Sequence, residues 1–416
     1  MKLSNIVRNN LCVSCGACQY LSHDKIHLKE VKKKGLYIPT IKRELNKSEI
    51  VSIANCCPAE GYPIIELGKQ IHDKTTQYDY RLGRFKSFAA YKSTSSKILK
   101  KASSGGLMTA IASYLLDNMI VQGVVSTTYT YRHDSIMPQT KIYRYSHELL
   151  ETQGSKYMPV PALIILDEIE KFDGKLAFIG TPCQIASIRL LQKSNVIFKE
   201  KILFTIGNFC GGFRDMREIY RIKSIANINN ENITYFQYRG EGQPGKMVFE
   251  TKNSKYWEYP YPDYSKLTGY MKYYRCRVCV DATAELADIS CGDAWLPRYQ
   301  TADSNWSVVI IRNIELEQII NNMVANSVII KSSLSLEDIL ISQKGNLLSK
   351  KERYLSRLRF LKLIGKKTPT FDGGWSIDGN SSFIFEVKVY VYQKIKYYCE
   401  LIGIYIYIQK IYNKFF

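Results

Sequence analysis

Apolar residues fall along this chain in two rhythms. From Phe88 to about Asn208, short apolar runs alternate with stretches where apolar positions recur every three or four residues. FAAYKS, VQGVVSTTY, KLAFIG and KILFTIGNF are of the first kind and predict strands; LMTAIASYLLDNM and PCQIASIRLLQK are of the second and predict helices. That alternation predicts an α/β core with a mixed, largely parallel sheet. Ahead of it, IHLKEV and LYIPTI alternate around Lys34-Gly35 and predict two short strands. Beyond about residue 235 Tyr, Gly and Pro become more frequent, and mixed strand and loop is expected. There WSVVIIRN reads as a strand, LEQIINNMVA as a helix, and Phe371-Asp-Gly-Gly through Asn380-Ser-Ser as a loop.

These shifts divide the chain into residues 1–75, a core over 76–300, a C-terminal part of that core over 301–370, and an aromatic, basic tail over 371–416. The length of 416 residues allows two or three domains, and 45% hydrophobic with 23% charged residues is a globular composition. Apolar runs are too short for a clear membrane span, and the N-terminus lacks the apolar core of a secretion signal. A cytoplasmic protein is expected. The formal charge of +20 suits an acidic partner without choosing one. The basic residues between Lys25 and Lys47 are scattered, which fits a solvated strand surface or a docking face for an acidic partner.

The eleven cysteines change the picture more than the charge does. Without a secretion signal, clustered cysteines point to metal or redox work rather than disulfides. Cys12-Val-Ser-Cys15-Gly-Ala-Cys18 is a C-x2-C-x2-C run, which can wrap one cubane cluster, with Gly16 bending the backbone. The ferredoxin run continues to a Cys-Pro, but Ser22 stands at that place here. Cys57-Pro58 supplies it from a distance, giving one [4Fe–4S] set of Cys12, Cys15, Cys18 and Cys57, with Cys56 a neighbouring structural thiol. Cys276-Arg-Val-Cys279 is a second metal-type pair in need of partners. Cys183, where a strand turns into a helix, and Cys210, at the end of another strand, would share the carboxyl edge of a parallel sheet. The helix start at Cys183 would favour its thiolate. From spacing alone this set suits zinc, a cluster, or unrelated thiols.

Five segments then carry a resemblance. SGGLMTAIASYLLDNMIVQGVV, GSKYMPVP, FIGTPCQIASIRLL, GNFCGGF and CRVCVDATAELADISCGD follow in the order and at the spacings of the beta subunits of coenzyme F420 hydrogenases and dehydrogenases. The chain resembles that family over about residues 1–300, in the bacterial form with a ferredoxin-like domain in front. The resemblance implies an α+β ferredoxin-like N-terminal domain, then an α/β flavin-binding core carrying FAD and a [4Fe–4S] cluster. The family's cluster cysteines match Cys183, Cys210, Cys276 and Cys279. Cys291 departs from the family pattern and reads as a small buried residue.

Ala102-Ser-Ser-Gly-Gly106 precedes a helix, where free N–H groups suit a pyrophosphate; a plain glycine-rich helix cap is the alternative. There is no G-x-G-x-x-G. With the resemblance, Ser104, Gly105, Gly106 and Thr109 become candidate FAD contacts, as do Gly154, Ser155 and Lys156. Lys156 would neutralise a phosphate or polarise the flavin. Asp281 and Asp288 read as cap or supporting groups near the second cysteine set. His23, His27, His72, His133 and His147 show no ligand spacing and read as surface residues.

The leading expectation is an oxidoreductase that takes electrons from a ferredoxin-like or other donor, through two [4Fe–4S] clusters and FAD, to a small organic substrate. Bacterial relatives suggest a sugar-linked substrate in surface polysaccharide biosynthesis. No nucleic acid is expected. The rivals are a zinc-stabilised basic binding protein for nucleic acid or anionic glycan, and a non-catalytic electron-relay subunit. The tail, Phe383 to Phe416, is too interrupted by charge to span a bilayer. It reads either as a helix packed on the core or as an interfacial helix peripheral on the inner membrane face.

Overall fold

The structure, a computed structural model, describes residues 3–132, 135–228, 231–264, 271–300, 305–376 and 383–401. His133, the end of the loop after Phe371, and tail residues 402–416 lie outside the described residues.

The chain begins with the helix Leu3–Arg8, the cysteine loop and the helix Ala17–Leu21. An antiparallel hairpin follows, β1 (Ile26–Val31) and β2 (Leu36–Ile41), with Ile26 opposite Ile41. Gly35, at φ 59°, closes the turn between them. The helix Lys47–Cys56 opens on an Asn46/Glu49 capping box and stops at Cys57. The unit shares its apolar contacts with the rest of the molecule: Ala17, Cys56, Tyr62, Ile64 and Leu67 belong to the same cluster as Phe178, Ile185 and Leu286.

A short ribbon, β3 (Gln77–Asp79) with β4 (Gly83–Phe85), leads into the main sheet. Its strands are β5 (Ser87–Ser93), β6 (Gly123–Arg132), β7 (Ser135–Tyr143), β8 (Leu176–Gly180) and β9 (Ile202–Asn208). Three further strands, β10 (Ile233–Gly240), β11 (Lys246–Thr251) and β12 (Tyr256–Pro260), form a separate antiparallel sheet. The chain then returns to the main sheet with β13 (Ile289–Asp293), β14 (Ser307–Ile311) and β15 (Ile329–Ser332). The order across the main sheet is β15-β5-β14-β13-β9-β8-β6-β7.

That sheet is mixed, and its parallel part is narrower than the alternation predicts. Parallel pairing joins β6, β8, β9 and β13, while β7 on one side and β14, β5 and β15 on the other pair antiparallel. The cause is β14: it fills the place between β13 and β5 after a direct antiparallel return from β13, so FAAYKS never meets a parallel neighbour. Residues beyond 300 therefore contribute a central strand.

Past β15 the helical winding changes. Leu348–Glu352 winds as one π-helical turn before the helix Tyr354–Leu363. The turn places the adjacent Lys350 and Lys351 inward, 2% and 0% exposed. Lys351 pairs with the buried Glu285, and Lys350 donates to the Asp281 carbonyl at 2.6 Å.

His72 corrects the surface reading. It is 6% exposed, and its Nε2–H donates to the Glu285 carbonyl at 2.7 Å. His23, His27 and His147 are exposed. Burial, then the nearby Arg312, holds the His72 imidazole down from 6.5 to about 3. Between those values the unfolded chain takes up a proton that the folded chain refuses. Stability is therefore full above pH 6.5 and declines as pH falls toward 3, by about 1.4 kcal/mol per pH unit. His72→Gln keeps an N–H donor but does not titrate. Urea unfolding from pH 7 to 4 is expected to show a shallower stability loss for this variant than for the parent.

Candidate functional site

The N-terminal thiols surround one apolar cavity. Cys12, Cys15, Cys18 and Cys57 border it together with Ile6, Val13, Leu28, Pro39 and Ile53. The loop reaches this shape because Gly16 adopts φ 96°, and a Cβ there would stand 2.4 Å from the Ile164 Cγ2. The Leu163 N–H donates to the Cys15 carbonyl at 2.8 Å and fastens the loop to the core. Cys57 arrives from the end of the helix Lys47–Cys56. Burial, with a smaller push from nearby thiols, raises the Cys12, Cys15 and Cys57 thiols to about 12. Cys56 turns elsewhere: its Sγ lies 3.8 Å from the Ser194 Oγ, and its carbonyl accepts from the Ser187 hydroxyl at 2.9 Å. Among the described residues no three His, Cys, Asp or Glu side chains close in tightly enough for a single metal ion. The four thiols border a space, and their donor set is the one a cubane cluster takes.

The second set assembles at the carboxyl edge of two adjacent parallel strands. Cys183 starts the helix Pro182–Ser194 after β8, and Cys210 follows β9. Cys276 lies on the short helix Tyr274–Arg277, and Cys279 is two residues past it. Cys210, Cys276 and Cys279 all act electrostatically on Cys183, so the four thiols share one neighbourhood. The Cys210 N–H donates to the Ala282 carbonyl at 2.9 Å, and Cys276 Sγ accepts from the Phe213 N–H at 3.5 Å. The helix start does not lower Cys183 as its position suggests. Burial outweighs it and the bond from Thr181, and the thiol is pushed up. Cys291 sits in β13 with its thiol raised by burial alone, with no second thiol contributing.

Two lysines, Lys350 buried and Lys272 half-buried, face this second set and are not among the residues the sequence singles out. Lys350 is held charged by Cys279, Cys210 and Cys276 against its own burial. Lys272 is pushed down to about 8 by burial and by Lys350. Asp281 accepts from the Glu285 N–H at 3.1 Å and so caps its own turn. Asp288 is paired to Arg189 at 2.8 Å and accepts from the Thr205 N–H.

Arg275 joins the two sets. It is 1% exposed and directly precedes Cys276. Its Nε donates to the Ala59 carbonyl at 2.8 Å and one terminal N–H to the Pro58 carbonyl at 2.7 Å, immediately after Cys57. Its guanidinium covers the Phe371 ring at 5.4 Å. The charge lowers the Cys57 thiol, and the thiols of Cys279, Cys183 and Cys276 act back on it. A basic residue beside a cysteine pair is the one signal in the sequence that could have found it.

The second set opens into a cleft of about 540 Å³. Ser104, Gly106, Thr109, Gly154, Ser155 and Lys156 line the same cleft, so the structure brings both glycine segments together with these thiols. The helix Leu107–Asp117 begins there with no side-chain cap, leaving its first N–H groups free toward an anion. The glycines have another reason to be small. A Cβ at Gly105 would meet the Tyr91 carbonyl at 2.5 Å, and one at Gly106 the Ile98 Cγ2 at 2.5 Å. The Gly105 N–H is taken by the Ser307 Oγ at 3.0 Å, and Ser104 Oγ lies 2.9 Å from the same atom. Gly154, at φ 81°, would collide with Gln237, and the Ser155 N–H donates to the Arg239 carbonyl at 2.9 Å.

Lys156 turns back on its own loop. Its Nζ donates to the Thr152, Gln153 and Gly154 carbonyls at 2.8, 3.3 and 3.3 Å and stands 5.0 Å over the Tyr129 ring. Burial pushes its amine down to about 7. Beside this segment, and joined to it through the Ser155 N–H, Arg239 pairs with Asp293 at 2.8 Å and lies over both Tyr261 and Trp295, rings that stack at 5.6 Å. The residues present suit an anionic, flat, conjugated group: free N–H donors, cations and aromatic faces converge on one cleft.

Arg275→Met is expected to leave the Pro58 and Ala59 carbonyls without donors and to cost about 2–4 kcal/mol. Hydrogen exchange should show the loss as faster opening of residues 57–61. Equal exchange in parent and variant would remove the linking role.

Comparison with known proteins places this architecture. A family model described as coenzyme F420 hydrogenase/dehydrogenase, beta subunit N-term, matches residues 88–167. The corresponding C-terminus model matches residues 173–336. The coenzyme F420 hydrogenase subunit beta of Methanococcus voltae is 28% identical over 278 residues, covering 63% of this chain and 92% of that protein. The coenzyme F420-dependent sulfite reductase of Methanocaldococcus jannaschii is 24% identical over 357 residues, covering 81% of this chain and 49% of the reductase. In solved structures, a chain of the F420-reducing [NiFe] hydrogenase complex from Methanosarcina barkeri superposes with a TM-score of 0.55 at 22% identity. The match covers 70% of this chain and 98% of that one, and it shows the fold.

Proposed function

This chain belongs to the coenzyme F420 hydrogenase/dehydrogenase beta-subunit family, and from that premise we propose that it is an iron–sulfur flavoprotein. It is an oxidoreductase, as its relatives are: a hydrogenase subunit and a sulfite reductase. In this reading Cys12, Cys15, Cys18 and Cys57 hold one [4Fe–4S] cluster, and Cys183, Cys210, Cys276 and Cys279 hold a second. FAD is held in the cleft by the uncapped helix start at Ser104–Thr109 and by Gly154–Lys156. When bound, clusters carry single electrons and a flavin pairs them for two-electron chemistry on an organic substrate.

The observation that carries the reading is the pairing of two four-thiol groups across one buried arginine, the second group opening into the cleft. The chain's own residues then have defined tasks. Arg275 and Lys350 set positive charge against thiolates that burial alone would keep protonated. Arg239 holds Asp293 and the aromatic wall in place. A ferredoxin-like donor is the partner that the N-terminal group implies. Similarity to a subunit of a larger hydrogenase supports a second reading, in which the chain relays electrons to a partner that holds the substrate.

Anaerobic reconstitution tests the cluster reading. About eight iron and eight sulfide per chain are expected, and Cys12→Ser should remove one cluster's worth while Cys183→Ser removes the other. Iron near four per chain defeats the two-cluster reading, and stoichiometric zinc in its place supports a binding protein instead. Because the glycines are required by packing, flavin binding is better probed at Thr109. Thr109→Leu adds bulk in the first turn without disturbing the helix, and should weaken FAD retention tenfold or more. The readout is flavin released on denaturing FAD-treated, washed protein. Parent protein that releases none would defeat the FAD assignment.

A further inference from the structure

The helix Phe383–Leu401 is fastened to the body along one side. Glu386 is buried in an ion pair with Arg357 at 2.9 Å. Val387 and Tyr390 pack into the cluster around Phe360 and Leu361, and Tyr390 and Phe383 both meet the Phe360 ring edge-on. Further along, Arg217 lies 5.9 Å over the Tyr397 ring. At about 100° per residue, positions 386, 390 and 397 lie on one face.

The opposite face carries the aliphatic residues Ile384, Val391 and Ile395, exposed by 63%, 48% and 55%. On either side of that stripe stand exposed tyrosines, Tyr398 and Tyr392. Outside the tyrosines lie lysines: Lys394 is within 5.8 Å of the Tyr398 ring, and Lys396 stands 4.5 Å over the Tyr392 ring. Lys388 interrupts the stripe and is exposed. Further apolar side chains are exposed on the preceding helix. Leu363 is 75% exposed and Ile364 39% at the end of the helix that carries Phe360, followed by Lys366 and Lys367. The carboxylate Glu386 is turned away into its buried pair, so it does not oppose these lysines.

We propose that this face is a docking surface for an anionic lipid bilayer, with the helix lying in the headgroup plane. The order of side chains across the face is the argument. An aliphatic centre, tyrosines at its edges and lysines beyond them match the depth profile of a bilayer interface, where apolar atoms go deepest and ammonium groups reach back to phosphate. A protein partner would not require that layering. The net charge of +20 adds long-range attraction to the same surface. No described helix is long and apolar enough to cross a membrane, so the contact is peripheral. The inference concerns where the protein sits and is independent of which cofactors it holds.

Flotation of the full chain with vesicles tests it. Binding is expected with vesicles containing 30% phosphatidylglycerol, with at least tenfold less on pure phosphatidylcholine or in 0.5 M salt. Val391→Glu with Ile395→Glu alters exposed positions only and should reduce flotation at least tenfold, with thermal unfolding and iron content equal to the parent's. Lys388→Glu with Lys394→Glu, which leaves the apolar stripe intact, should reduce it as well. A parent chain that stays with the soluble fraction overturns the proposal. So does a double-glutamate variant that floats as the parent does. Sedimentation that shows a parent dimer and a variant monomer, without vesicle binding, overturns it in favour of a second copy on this face.

Discussion

Much of this structure depends on a guanidinium that has no water to fall back on. Arg275 is almost fully buried, and its hydrogen bonds to Pro58 and Ala59 are made to backbone that has just passed Cys57. A buried cation without acceptors is very costly, so the N-terminal unit cannot drift from the core without exposing one. That single constraint holds the first four thiols at a set position relative to the second four, because Arg275 is covalently next to Cys276. The unit's apolar contacts with the core act in the same direction, since Cys56, Tyr62 and Leu67 belong to the central cluster.

The same tension between burial and charge shapes the rest of the site. Burial pushes the Cys12, Cys15, Cys57 and Cys276 thiols toward their neutral form, and positive charge close by works against it. The π-helical turn at Leu348–Glu352 brings Lys350 inward for this purpose, and Lys351, one residue on, answers Glu285. Neither lysine is explained by a surface helix, where both would point to water.

At the cleft, small residues serve two demands at once. Gly105 and Gly106 let the loop press against β5 and Ile98, and that packing is what aims the uncapped helix start into the cleft. A backbone that can approach its own sheet so closely can also approach a phosphate, so the structural and binding explanations of the glycines are not in competition. The C-terminal helix shows a similar double character: one side is tied to Arg357 and Phe360, while the other is left apolar toward solvent.

Local pattern carried a large share of this. Strands β5, β6, β8, β9 and β14 and the helices after Gly106 and Thr181 were legible because their periods reflect burial on one side or on both. The hairpin of β1 and β2 was legible for the same reason. The first cysteine grouping was legible in its spacing: Cys12, Cys15, Cys18 and Cys57 border one cavity, while Cys56, not followed by proline, turns to Ser194; for the second grouping spacing left several readings open, and the resemblance supplied it. What pattern could not carry were facts about partners distant in sequence. β14 between β13 and β5 makes half the sheet antiparallel, yet nothing in WSVVIIRN says which strands it will meet. His72, Lys350 and Lys351 look like surface residues in sequence, and each is buried because its partner, Glu285 or the Asp281 carbonyl, comes from another part of the chain. The tail's composition suited both a packed and an interfacial helix; the structure decided that one face packs. The sequence by itself determined periodicity and the spacing of its cysteines, which are properties of neighbours along the chain. The tertiary structure alone decided the burial of charge, because the energy of a buried ion is set by the groups that surround it in space.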